Sequence, residues 1–261
     1  MRKLICFLLV FVCLLCSCEN EDFQKGNADE LNSFVETVNS EEKTSGDYQL
    51  EITFGDRKTL YFAKGEIAWD RVGLELYSAF DQTYLGASGK TENFYKNGKM
   101  TTVSSDEKIV LDKESESIFS KFPYFKLPLL DENCGEIKQS ESSVGTTYSF
   151  KRTDGQEISK AFVEDDIYDL VGVLKKPQKD LTEYGDVECI YTVKDGRIVS
   201  ARFEFDMKLF DTPAYIPGYS VPEEEYTLNI HITAKVGYDK FGQDVVIKEL
   251  SETENDKTVS E

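Results

Sequence analysis

Val187-Glu188-Cys189-Ile190-Tyr191-Thr192-Val193-Lys194, Asp195-Gly196 and Arg197-Ile198-Val199-Ser200-Ala201-Arg202-Phe203-Glu204-Phe205-Asp206-Met207-Lys208-Leu209 decide the architecture. From Val199 through Ala201, Phe203, Phe205, Met207 and Leu209 every second residue is apolar, while Ser200, Arg202, Glu204, Asp206 and Lys208 stand between them. A strand has a side-chain period of two, so this spacing predicts one dry face and one wet face. Asp195-Gly196 supplies the positive φ values of a two-residue hairpin turn and makes the two runs antiparallel neighbours. A further run, Tyr226, Leu228, Ile230, Ile232, Ala234, Val236 and Tyr238, alternates in the same way. The chain therefore reads as mainly antiparallel β, with Val199, Phe203, Phe205, Met207, Leu228, Ile230 and Ile232 as the expected lining of its apolar face.

Outward from this centre the pattern repeats. Tyr48, Leu50, Ile52 and Phe54 alternate ahead of a turn at Gly55-Asp56, and Thr59 to Ala63 continue. Val72, Leu74, Leu76, Ser78 and Phe80 form another run, ended by Asp81-Gln82, and Ala87 to Lys90 read as a turn. Asn97-Gly98 joins two polar-rich strands, Thr91 to Tyr95 and Met100 to Ser104. Strands are also predicted at Glu136 to Ser140 and Thr146 to Arg152. Leu31, Phe34, Val35 and Val38 instead fall at i, i+3, i+4 and i+7, an amphipathic helix with Asn27 or Asp29 at its start. Helical spacing recurs at Asp112 to Lys121 and from Ile158 to Leu174, where Val171 to Leu174 read equally well as a strand. Phe122 to Leu130, apolar and interrupted by Pro123 and Pro128, is either a buried crossing segment or a lid. Asp211 to Glu225, with three prolines, reads as a loop, and Val245 to Ile247 as a short final extension.

At the amino terminus Met1-Arg2-Lys3 precedes an apolar run of about 13 residues, Leu4 to Cys16, roughly 20 Å as a helix. That has the charged head and short hydrophobic core of a secretory signal and is too short for a comfortable membrane span. Leu15-Cys16-Ser17-Cys18 resembles the lipobox of bacterial lipoproteins, in which the cysteine after a small residue receives diacylglycerol as a thioether. The resemblance implies a signal peptide over residues 1–17 and lipidation of Cys18. It also implies acyl chains that hold the protein on the outer face of the bacterial cell membrane. Residues 18–28 then form the lipidated cysteine and a polar tether, residues 29–250 one β-rich domain, and residues 251–261 an acidic disordered tail.

The net charge is −19, and it becomes about −21 once Arg2 and Lys3 leave with residues 1–17. Such a surface repels nucleic acid, and no basic run offsets it. Cys134 and Cys189 are the two cysteines of the mature domain. Outside the cytoplasm they stand as a disulfide or as two buried thiols, and both alternatives are open. No cofactor is indicated. His231 lies on the polar register of its strand with no Cys or second His nearby, so no metal site is expected. Carboxylate pairs such as Asp165-Asp166 and the run Glu223-Glu224-Glu225 leave a second reading open, an envelope enzyme acting on wall polymers.

A tethered cysteine, the helix Leu31 to Val38 ahead of the strand Tyr48 to Phe54, the hairpin Tyr191 to Val199 and the ending Tyr238 to Ile247 together resemble the LolA-like bacterial lipoproteins. This group includes the mycobacterial lipid carriers and Gram-positive members of unassigned role. The resemblance implies an α+β fold: a large curved sheet, an unclosed half-barrel, with a few short helices on its concave side. It also implies a non-enzymatic binding module whose concave side takes a lipid, an apolar ligand or a partner protein of the envelope.

Overall fold

The computed structural model describes residues 24–54, 58–104, 107–115, 126–162, 182–210 and 227–250. The expectations at residues 1–23, the turn at Gly55-Asp56, residues 116–125, 163–181, the proline loop 211–226 and the tail lie outside them. The strands are β1 (Gln24–Lys25), β2 (Lys43–Phe54), β3 (Lys58–Asp70), β4 (Glu75–Tyr84), β5 (Ala87–Lys96), β6 (Lys99–Ser104) and β7 (Glu107–Asp112). They continue as β8 (Lys138–Ser142), β9 (Gly145–Arg152), β10 (Thr182–Tyr184), β11 (Val187–Lys194), β12 (Arg197–Leu209) and β13 (Leu228–Phe241). All belong to one 13-stranded antiparallel sheet, ordered β1-β8-β9-β11-β12-β13-β2-β3-β4-β5-β6-β7, with β10 beside the end of β12. The two ends of this order do not pair, so the barrel is open as expected.

Among the described residues two α-helices accompany the sheet, α1 (Ala28–Ser40) and α2 (Gly155–Phe162). The Asn27 side chain accepts the N–H groups of Asp29 at 2.9 Å and Glu30 at 3.4 Å, and both acids complement the positive end of the helix. Leu31, Val35 and Val38 are buried and Phe34 is half-buried against the same core, which sets the helix on β12. Burying each aliphatic side chain contributes on the order of 2 kcal/mol, more than this polar helix would gain alone.

The hairpin turns follow their chemistry. Asp195-Gly196 and Asn97-Gly98 both hold positive φ at both positions (52° and 75°, 53° and 79°). Leu85-Gly86 does the same, at 47° and 86°, between β4 and β5. The sequence gives no polar turn signal there; β4 runs on through Asp81-Gln82 and β5 takes in Ala87 to Lys90, in place of the breaks expected at both. At its other end β4 starts later than the alternation implies. Val72 and Leu74 are exposed turn residues, and Leu74 has φ of 51°.

One register departs from strict alternation. Thr192 pairs with Ser200 but Val193 pairs with Ile198, so a bulge absorbs Val199. Ile198 is fully buried while Val199 is half-exposed, and Val199 is thereby corrected from the expected apolar lining. The extra residue rotates the strand by one position, so the apolar side of β12 starts at Ile198 and resumes at Ala201.

Candidate functional site

Pairing carries each inward residue into a row that crosses the sheet. One row runs Phe205, Ile232, Ile52, Tyr61, Tyr84; the next runs Phe203, Ala234, Leu50, Ala63, Gln82. Two more run Val236, Tyr48, Gly65, Phe80, Thr91 and Tyr238, Gly46, Ile67, Ser78, Asn93, Thr102, Ile109. Along the last three of these rows the chemistry changes between β3 and β5.

In the central half the rows are dry. Phe203, Phe205, Met207, Leu228, Ile230 and Ile232 are all at most 3% exposed, and they belong to a packed core with Leu31, Val35 and Val38 of α1. Tyr191 meets Phe150 and Phe203 edge-on, at ring separations of 5.3 and 5.8 Å. The predicted lining residues are thus brought together, Val199 excepted, as the floor of a filled interior.

The segment 126–130 completes that interior. The amide of Asn39 donates to the Leu127 carbonyl at 2.9 Å and accepts the Leu127 N–H at 2.8 Å. Asn32 does the same for Leu130, at 3.0 and 2.8 Å. Two helix positions seven apart therefore act as surrogate strand partners, and they satisfy the backbone of an extended segment that has none. Tyr191 donates its hydroxyl to the Pro128 carbonyl at 3.5 Å, and Arg152 donates to that of Leu129 at 2.6 Å. Leu127 and Leu130 are buried while Lys126 and Leu129 are exposed, so this part of Phe122 to Leu130 crosses the core with one side turned into it.

Arg152 is itself buried and fully engaged. Its guanidinium donates to both oxygens of Asp154, at 2.9 and 2.7 Å, and to Asp131 at 3.1 Å. Burial works against its charge, but these carboxylates outweigh it. Burial also pushes the Asp131 carboxyl up, yet the Asn133 N–H and Arg152 hold it below the usual carboxylate range. Beside this cluster Cys134, half-buried, and Cys189, buried, stand unbonded to one another. The Cys134 sulfur lies 3.4 Å from an Arg152 nitrogen, and that of Cys189 points along its own strand toward the Val187 carbonyl. Burial pushes both thiols up.

In the outer limb, β3 to β6, the inward face becomes polar. Tyr61 donates to Gln82 at 3.1 Å and Gln82 donates to Thr91 at 3.0 Å. In parallel, Thr102 donates to Asn93 at 2.8 Å and Asn93 donates to Ser78 at 3.2 Å. Ser78 and Thr91 are buried, whereas Tyr61, Gln82, Asn93 and Thr102 keep partial exposure. Phe80 and Tyr84 are half-buried beside these chains, and Trp69, Leu76 and Tyr95 close the apolar row at one end. Ser78 stood out in the sequence as a polar member of an apolar run; its partners on β5 and β6 did not, because they sit on the polar-looking hairpin around Asn97-Gly98. Aligned hydroxyl and amide groups flanked by rings suit a molecule with both a polar and an apolar part.

The outward face carries a recess of about 470 Å³, between the sheet and the segment after β13. Glu66, Tyr77, Asp47, Lys240, Lys248 and the displaced Val199 line it. Lys248 lies 2.6 Å from both oxygens of Glu66 and 5.6 Å from the Tyr77 ring, so an ion pair occupies its wall. His231 is also outward, with Nδ1 2.8 Å from Asp206 across the β12–β13 pair. Among the described residues no helix is long and apolar enough to cross a membrane.

An open antiparallel sheet with the amphipathic helix α1 and a pinned crossing segment on one face is the class of scaffold that the described residues define. No family model matches the chain, and no curated protein matches it in sequence. Among solved structures it is similar to the Mycobacterium tuberculosis lipoprotein LppX, with a TM-score of 0.43 and 11% identity over 85% of this chain and 97% of that one. LprF from Mycobacterium bovis gives 0.45 and 11% over 87% and 99%. A putative outer membrane lipoprotein-sorting protein domain from Vibrio parahaemolyticus gives 0.29 and 9% over 83% and 94%. These likenesses concern the course of the chain alone.

Proposed function

We propose that this chain is an extracytoplasmic lipoprotein, held on the outer face of the bacterial membrane through lipid on Cys18, that serves as a non-enzymatic binding module for a lipid or another amphiphile. The binding surface in this reading is the inward face of the outer limb. One observation carries it: the inward rows pass from a filled apolar core to two hydrogen-bonded polar chains, Tyr61-Gln82-Thr91 and Thr102-Asn93-Ser78, beside Phe80. A core that needed only packing would gain nothing from six amide and hydroxyl side chains, since each must be satisfied to avoid a penalty. The anchoring part rests on Leu15-Cys16-Ser17-Cys18 and the polar residues after it.

The test uses the full chain, extracted from membranes in mild detergent and titrated with a fluorescent phospholipid. Saturable binding is expected, and the variant with Asn93→Leu and Phe80→Asp should weaken it at least about tenfold. No saturable binding by the wild type, or equal binding by the variant, would overturn the assignment. Separately, Cys18→Ser should move the protein from the membrane fraction to the soluble one, and unchanged membrane association would sink the anchor.

A further inference from the structure

Among the described residues the sheet ends at β7, and its two ends are unlike. At one end β1 is two residues long, whereas β7 presents six residues, all exposed, with Ile109, Val110 and Leu111 at 41, 51 and 50%. Among the described residues no strand pairs with its outer side. The edge carries no proline and no register shift against β6. A long, flat, apolar edge of this kind is a template for another strand.

Which strand fits is written in the edge itself. The Lys113 N–H donates to the Gly98 carbonyl at 2.9 Å, in register with the β6–β7 ladder. Backbone groups alternate in direction along an antiparallel strand, so Leu111 and Ile109 also turn theirs toward β6. Lys108, Val110 and Asp112 consequently turn theirs outward. A second copy of β7 laid antiparallel about Val110 brings outward groups against outward groups, as a ladder requires. The same register sets Lys108 opposite Asp112 of the other copy, Glu107 opposite its Lys113, Ile109 opposite its Leu111, and Val110 opposite itself. Shifting the centre to Ile109 or Leu111 sets charged residues opposite apolar ones and loses both ion pairs.

We propose that β7 is a self-association edge, on which two copies of this chain join their sheets in antiparallel register about Val110. Opposite charges directly across a strand pair stabilise it and like charges destabilise it, and the two-fold axis counts each pair twice. This inference is independent of the binding surface, because β7 pairs through its edge and not through its inward face.

The test is a charge-reversal cycle on the full chain in detergent, read by sedimentation equilibrium. The wild type should be in monomer–dimer equilibrium. Lys108→Glu alone and Asp112→Lys alone should each weaken the dimer about tenfold or more, and the two together should restore it to within about threefold of wild type. Val110→Pro, which removes the outward N–H at the centre of an exposed edge, should also give monomer with an unchanged far-ultraviolet spectrum. A wild type that is monomeric throughout the accessible concentration range would overturn the proposal and leave the edge to a different protein. A dimer that ignores both single reversals, or a double variant as weak as the singles, would overturn it as well.

Discussion

Asn39 and Leu127 exchange two hydrogen bonds across 88 positions of sequence, amide to carbonyl at 2.9 Å and N–H to amide oxygen at 2.8 Å. A side chain here replaces the neighbouring strand that an extended segment ordinarily needs. Asn39→Leu removes both bonds and leaves the Leu127 N–H and carbonyl without these partners. We expect a loss of about 2 to 4 kcal/mol in urea unfolding, because each partly buried group then bears its own desolvation cost. The Leu127 amide should also exchange its hydrogen faster, and an unchanged exchange rate would show that Asn39 does not pin the segment.

The bulge at Val199 separates two adjacent apolar residues by environment. Ile198→Asp places a charge in a fully buried position and should cost more than about 3 kcal/mol, whereas Val199→Asp should stay within about 1 kcal/mol. Denaturant midpoints of the two variants check this. Equal losses would mean that the strand keeps strict alternation after all.

Asp70 closes the turn after β3. It accepts the N–H groups of Val72 at 3.0 Å and Gly73 at 2.7 Å, and it lies 2.8 Å from the Lys43 ammonium. Burial pushes its carboxyl up, but the Gly73 N–H and Lys43 outweigh burial and hold it below its usual value. A carboxyl lowered by folding adds stability that is fully present above its unfolded value, near 4, and that is lost as pH falls through the folded value. The wild type should therefore exceed Asp70→Asn in stability at pH 7. The gap should shrink as pH drops from about 5 toward 3. A gap that persists unchanged at pH 3 would exclude the charge as its source.

The two thiols of the domain should differ in accessibility. Cys134 is half-buried and Cys189 fully buried, and burial raises both above the ordinary thiol range. In the folded, unreduced protein Cys134 should react slowly with an aromatic disulfide reagent, and Cys189 should react only on unfolding. Mass spectrometry of the labelled peptides reads the order. Recovery of the two cysteines as one linked peptide would contradict the thiol state.

Period-two alternation located β11, β12 and most of β13, because each of those strands has one dry and one wet side and the difference is written directly into residue type. The Asn97-Gly98 and Asp195-Gly196 turns were equally legible, since few residues accept positive φ. Leu85-Gly86 was not, because its first residue adopts that conformation only under the constraint of the strands it joins. The polar chains of the outer limb were hidden for a related reason: Gln82, Thr91, Asn93 and Thr102 look like ordinary solvent-facing residues until the pairing of β4, β5 and β6 stacks them on the inward side.

By itself the sequence determined that this is an antiparallel one-sided sheet with an amphipathic helix, since periodicity is a local property set by backbone geometry. Only the tertiary structure decided that the apolar side is buried against α1 and the segment 126–130. Whether Phe203, Phe205 and Ile232 line a space or fill one depends on what packs above them, and that is fixed by contacts such as Asn32 to Leu130, which lie far apart in sequence. The placement of Val199 was likewise decided by pairing between strands, because one extra residue opposite a neighbour reverses a side chain without leaving any mark in composition.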